Sequence, residues 1–265
     1  MNAKTLICGA IAALGLTQAT FASVTFTGDA GAGTHLQATA LFDIVGSNLK
    51  VTLTNIDATA GTFQNPWGLT GLFWDSKSAQ SLTPGSAFVA GGSAILNPTG
   101  CSVVTCVGVT NVGGEFSYVT SANYTAGSPA GIGANGLGSS GYLTGNALAG
   151  NLGGSNLDGP QSLNGPNFSI LGPNGTGLNG ANPPSINNSV VFMLGGLTAG
   201  FKLTDLFNVS FTYGTAWGEG QVGGSCPRTD PNCGGGNTLI PEPASLALVG
   251  LGLFGVLLGG RRRKA

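Results

Sequence analysis

Seventeen uncharged residues, Ala244 to Gly260, lie between a proline and four consecutive cations near the end of this chain. Wound as an α-helix they reach about 25 Å, at ~1.5 Å per residue. That is the short end of what crosses a hydrocarbon core of about 30 Å. Pro243 suits a helix start and cannot continue a helix upstream. Arg261, Arg262, Arg263 and Lys264 follow the apolar run. Excess Lys and Arg stay on the cytoplasmic side, so everything before Pro241 is expected outside. The rest of the chain must then fold after export. Gly250, Gly252, Gly255, Gly259 and Gly260 lower helix propensity, but they let a partner helix approach closely in lipid. A buried core helix does not fit four adjacent terminal charges; an anchor that is never cut is the rival reading.

Directly before the span stands Pro241-Glu242-Pro243. A Pro-Glu-Pro tripeptide, an apolar span and an Arg-rich end, in that order, resemble the PEP-CTERM sorting signal of Gram-negative bacteria. The resemblance covers residues 239–265. It implies a transmembrane helix recognised by an exosortase, a membrane-embedded cysteine transpeptidase that removes the tail. Pro241, Glu242, Pro243, Arg261, Arg262 and Arg263 carry that recognition. A sorting route follows from it; an activity does not.

The opposite end has the pattern of a secretory signal peptide over residues 1–22. Lys4 is the positive n-region and Leu6 to Leu16 the apolar stretch. Thr20-Phe21-Ala22 places small residues at −3 and −1, which predicts a signal helix cut by signal peptidase between Ala22 and Ser23. Cys8 follows Ile7 where a lipoprotein needs a small residue, so it belongs to the removed segment.

With both ends set aside, residues 23–238 have the length of one domain. Lys50, Lys77, Lys202 and Arg228 stand against nine acids, a formal charge of −5 for the body. The lack of a basic patch argues against nucleic acid and against anionic headgroups as ligands of the body. Cys101, Cys106, Cys226 and Cys233 fall in an oxidising compartment, where an even count favours disulfides. Three pairings are open. The two local ones are favoured because each closes a short loop, and each would stabilise by about 2–3 kcal/mol or less. Neither pair has zinc-site spacing, and His35 is the single histidine. No metal or cofactor is expected.

Period-two alternation predicts strands. Leu49, Val51 and Leu53 share one face, with Lys50, Thr52 and Thr54 on the other. Leu36 to Val45 is the expected partner strand across a Gly46-Ser47-Asn48 turn. Val103 to Val109, Glu115 to Thr120, Val190 to Leu194 and Leu206 to Tyr213 read as further strands. In the last, Phe207, Val209, Phe211 and Tyr213 are expected on one face. Residues 126–189 hold 16 glycines and one charge, Asp158, and read as a Gly/Asn/Ser-rich loop or insert. Glycine-rich phrases recur there without the register a solenoid needs. The body shows no helix caps or heptads. The fold class is therefore all-β: an antiparallel β-sandwich whose halves pair across the insert.

The chemistry-bearing residues are sparse. His35 reads as an exposed or strand-edge histidine. Asp75, Glu115, Asp205 and Glu219 show no spacing that singles out an acid pair for glycoside hydrolysis. Calcium loops and phosphate-binding glycine loops are absent from the sequence. The stretch Phe63 to Asp75 is aromatic. Trp67, Phe73 and Trp74 with Asp75 and Asn65 could stack on a sugar and hydrogen-bond its hydroxyls; alternatively Phe73 or Trp74 fills the core. Leu53 to Asp75 is also loosely similar to a group of exosortase-dependent surface proteins of unassigned role. The sequence thus points to a non-enzymatic surface or extracellular-matrix protein, with the secretion machinery, an exosortase and extracellular polysaccharide as partners. A carbohydrate-binding adhesin using Trp67, Trp74 and Asp75 is the second reading, and a secreted hydrolase the third.

Overall fold

The computed structural model describes residues 23–78, 80–101, 106–120, 130–134, 155–159, 169–179, 183–214, 219–227 and 229–233. The expected signal helix with its Ala22 cleavage position lies outside them, as do the tail residues Pro241, Glu242, Pro243, Arg261, Arg262 and Arg263 and the apolar span they flank.

Alternation builds the first strands as the pattern predicts. β1 (Ser23–Asp29), β2 (Gln37–Val45) and β3 (Asn48–Asn55) form an antiparallel meander. In β3 Leu49, Val51 and Leu53 are buried, and Lys50, Thr52 and Thr54 are half-buried. The β2–β3 turn has Gly46 at φ +62° as its first central residue, with Ser47 outside the left-handed region. That is a two-residue hairpin turn whose twist matches the strands.

The chain continues through β4 (Gly61–Phe63), a 3-10 turn at Asn65–Trp67, β5 (Leu69–Ser76), β6 (Thr83–Val89), β7 (Ile95–Leu96) and β8 (Phe116–Val119). Next come β9 (Ala130–Ala134), β10 (Ser155–Asn156), β11 (Ile170–Leu171), β12 (Gly175–Leu178) and β13 (Ser185–Asn187). β14 (Ser189–Gly195), β15 (Leu206–Tyr213) and β16 (Gly220–Ser225) complete the described strands. Among the described residues there is no α-helix, and no helix is long and apolar enough to cross a membrane.

All-β is correct, but two separate sheets are not what forms. Fourteen strands make one sheet along β10-β8-β9-β5-β15-β16-β1-β2-β3-β14-β6, with β11, β13 and β7 branching from β5. β4 and β12 pair separately. Within the sheet β16 hydrogen-bonds to both β1 and β15, joining what alternation alone suggests are two layers. The ends of the path then approach each other. Asp158 bridges Ser86 of β6, and its N–H donates to the Gly85 carbonyl, so the sheet is nearly closed. Aromatic contacts span the interior. Phe42 of β2 meets Trp74 of β5 edge-on at 5.5 Å, and Trp74 stacks on Tyr118 of β8 at 6.2 Å. One continuous apolar cluster results, to which each large side chain contributes roughly 1.5–3 kcal/mol of burial.

Three local readings differ from the pattern. The described parts of the glycine-rich segment are strands, not only loop: β9 lies between β5 and β8 with Gly131, Ile132, Gly133 and Ala134 buried. Small residues serve there because a Cβ on Gly131 would collide with the Phe73 ring. In β15 Phe207 is 38 % exposed, while Leu206, Val209, Phe211 and Tyr213 are buried. An extra residue is accommodated between Phe207 and Ser210, with Asn208 at φ +49°, and this bulge turns Phe207 outward. Finally, residues 106–109 form a turn beside Cys106 and no strand. Both local disulfides are formed, Cys101–Cys106 and Cys226–Cys233.

The Gly131 contact yields a prediction. Gly131→Val should lower stability by about 1–3 kcal/mol through overpacking. Gly91→Ala, where the space is open and φ is ordinary, should be near neutral. Urea unfolding midpoints read both; equal midpoints for the two variants would contradict the packing described.

Candidate functional site

Strand registers define two ends of the sheet. At one end lie the close of β1 and β3 and of β15, and the start of β2, β5 and β16, through the pairs Asp29–Gln37, Ala38–Asn55, Tyr213–Leu69 and Tyr213–Gly220. Loops meeting there bring His35, Asp57, Thr59 and Trp67 together.

Asp57 is the centre of this cluster. It follows β3 by two residues, and its backbone N–H donates to Asn55 Oδ1 at 3.0 Å. The Asn55 amide in turn donates to the Ile170 carbonyl at 2.9 Å. Thr59 donates to Asp57 Oδ1 twice, from its N–H at 3.0 Å and its hydroxyl at 2.7 Å. Asp57 Oδ2 stands 3.0 Å from His35 Nδ1, which also lies 3.0 Å from Thr59 Oγ1. A carboxylate only accepts, and the Thr59 hydroxyl proton is directed at Asp57 Oδ1. The proton between His35 and Asp57 is therefore assigned to Nδ1. The His35 and Asp57 side chains are 23 % and 8 % exposed. His35 sits at φ +61° and stacks on Trp67 at 3.7 Å between ring centroids. Phe63 meets Trp67 edge-on at 6.2 Å. His35 is thus no bland surface histidine. Its ring is held by a carboxylate and a hydroxyl from one chain segment, Asp57 and Thr59, and by the Trp67 indole from a second.

Tyr213 closes the cluster from β15. Burial, with smaller contributions from the charges of Asp57 and Asp29, pushes its phenol far above the usual tyrosine range. Burial alone does the same for Tyr118. Neither hydroxyl finds a hydrogen-bond partner among the described residues. Glu219 lies against Gly214, where a Cβ would collide with its carboxylate.

The proposed sugar contacts are not assembled into a platform. Trp74 is 2 % exposed and belongs to the core. Trp67 has one ring face covered by His35. Asp75 Oδ2 accepts from Asn208 Nδ2 at 2.9 Å and so ties down the β15 bulge. The four acids considered for hydrolysis do not gather in one place: Asp75 and Asp205 lie near each other where β5 ends and β15 begins, and Glu219 lies at the opposite end of the sheet. Asp205 accepts from the Ser78 hydroxyl at 3.1 Å, and Glu115 is buried rather than a solvated surface acid. Among the described residues no group of three His, Cys, Asp or Glu could hold a metal. Sequence reasoning missed Asp57 altogether. The signal available was Asn55-Ile56-Asp57-Ala58-Thr59, whose side chains cap their own backbone two residues on.

Residues 239–264 match the model of the PEP-CTERM protein-sorting motif. No curated protein and no solved structure matches the chain. The chain therefore carries the sorting motif that its tail resembles, with Pro241, Glu242, Pro243, Arg261, Arg262 and Arg263 inside the matched region. It is an exported protein, held transiently in a membrane and processed by an exosortase. The match covers the tail alone and leaves the role of the body to its geometry.

Two outcomes check the site. Asp57→Ala strands the Thr59 and His35 donors and should cost about 1–3 kcal/mol, whereas Lys50→Ala, which breaks the half-exposed Lys50–Asp43 pair, should cost about 1 kcal/mol or less. Chemical denaturation of both variants compares them, and a smaller loss for Asp57→Ala would refute the network. Tyr118 and Tyr213 have folded-state pKa values above the unfolded value of about 10. Their contribution is full below that pH and is lost as pH rises above it. Absorbance titration at alkaline pH should show these two phenols ionising only together with unfolding; ionisation near pH 10 in the folded state would count against their burial.

Proposed function

We propose that the body is a non-enzymatic surface or extracellular-matrix protein, delivered by its tail to the polysaccharide outside the cell. The observation that carries this reading is the sorting motif at 239–264, placed five residues after a disulfide-closed loop of an all-β body. Two disulfides suit an oxidising destination. The single histidine is committed to Asp57, Thr59 and Trp67, which favours a structural role for it over a nucleophile–base pairing. The aromatic segment serves the core and the His35 cluster, which favours a matrix component over an adhesin built on Trp67 and Trp74. β1 starts at Ser23, so a signal-peptidase cut after Ala22 leaves that strand whole.

Mass spectrometry of the native product tests the proposal. The recovered chain should begin at Ser23 and lack Arg261 to Ala265, and it should fractionate with the extracellular polysaccharide. Glu242→Ala should leave the tail attached and the protein in the membrane fraction. An intact tail on released wild-type protein would overturn the processing step; processed protein with no association to the matrix would overturn the destination.

A further inference from the structure

We infer that the end of the sheet opposite the His35 cluster faces the bilayer while the tail is embedded, and that the His35–Asp57–Trp67 cluster points away from it. The inference rests on the sorting reading. It names which surface of the body meets which partner: the Ser23 end and a membrane surface.

The first observation is where the described chain leaves the body. β16 ends at Ser225 beside Thr27 of β1. The Cys226–Cys233 loop then runs back along β1, held internally by Asp230 N–H on the Pro227 carbonyl and Cys233 N–H on the Asp230 carbonyl. Asn232 Nδ2 donates to the Ser23 carbonyl at 2.8 Å. The loop is thereby pinned to the first residue of β1. From Cys233 to Pro243 the chain has ten steps, which cover about 36 Å at most when fully extended. The body is about 30 Å tall, judged from β1 and its flanking turns at ~3.3 Å per residue, so bringing its other end to the bilayer would use up nearly that whole reach, whereas the Ser23 end needs almost none of it.

The second observation is the surface found at that end. Register places the β2–β3 hairpin two residues beyond Ser23, through Ser23–Asp43 and Val45–Asn48. Leu197 N–H donates to the Ser47 carbonyl beside it. Between them lies a cavity of about 370 Å³ lined by Ile44, Leu197, Ala199 and Phe201, with Val45 exposed next to it.

The third observation is charge. Lys50, Lys77 and Lys202 all lie toward the Ser23 end: Lys50 pairs with Asp43, Lys77 Nζ donates to the Thr204 carbonyl, and Lys202 precedes the 3-10 turn Leu203–Asp205. Arg228 belongs by sequence to the Cys226–Cys233 loop. The opposite end carries Asp29, Asp57, Glu219 and His35, with no Lys or Arg among the described residues. The Ser23 end also carries Asp75, Asp205 and Asp230 besides Asp43, so its cations offset its acids, whereas the opposite end has acids with no Lys or Arg among the described residues to offset them; phosphate headgroups repel the latter more.

The test uses the chain freed of its signal segment but retaining its tail, reconstituted in vesicles of neutral and anionic phospholipid with an acceptor dye on a lipid headgroup. Ser47→Cys and Ala32→Cys variants are labelled with a donor dye under non-reducing conditions, since the native cysteines of the body are disulfide-bonded. Vesicle flotation first establishes insertion. Energy transfer should then be higher from position 47 than from position 32, by about two-fold or more for a height difference of ~30 Å. Equal or reversed transfer in protein that floats with the vesicles overturns the orientation alone. Protein that does not float with them overturns the sorting reading and the orientation with it.

Discussion

β16 is the constraint on which the structure depends. It is a glycine-rich strand that hydrogen-bonds to β1 on one side and β15 on the other. Without it the β1–β2–β3–β14–β6 half and the β15–β5–β9–β8 half would share no paired strands along this seam and, among the described residues, would be joined by backbone only through isolated bridges to β6 and the Asn188–Leu171 hydrogen bond. The join is made possible by missing side chains. A Cβ on Gly28 would stand 2.6 Å from the Phe211 ring, and one on Gly224 would stand 3.0 Å from it. Phe211 fills the space those glycines leave open, so the seam between the halves is packed rather than hollow. Conformational freedom lost at the glycines is offset by burial of one large ring.

Closure also decides what the two ends of the sheet can do. The first strand and the last are neighbours, so Ser23 and the Cys226–Cys233 loop come together at one end. The route out of the body begins there. The loops that carry His35, Asp57 and Trp67 are gathered at the other end, where their side chains satisfy one another. A protein whose sorting is written in its last 27 residues thus has a body with a definite base and a definite tip.

Much of this architecture was legible in the sequence, and the exceptions share a cause. The β2–β3 hairpin, the alternating faces of β3 and the local disulfides follow from short-range pattern, and the structure reproduces them. The tail was legible for the same reason, because proline, an apolar span and a cationic stop act on neighbouring residues. What was missed depends on contacts distant in sequence. Phe207 turns outward because Asn208 and Asp75 close a bulge between strands more than a hundred residues apart. β9 looked like loop because its glycines are chosen by the Phe73 ring on the neighbouring strand. The His35 cluster draws on three chain segments, those of His35, of Asp57 and Thr59, and of Trp67, and no period or spacing in the chain announces it. The merging of two layers into one sheet was hidden in β16, whose glycines carry almost no alternation signal.

Hydrogen–deuterium exchange of the backbone amides in β16 tests the closed sheet most directly. A single cooperative sheet predicts that the Val222 and Gly224 amides are protected to the same level as those of Val51 in β3 and Phe192 in β14. Rapid exchange throughout β16, with β3 and β14 still protected, would show two independently stable halves and contradict the continuous sheet.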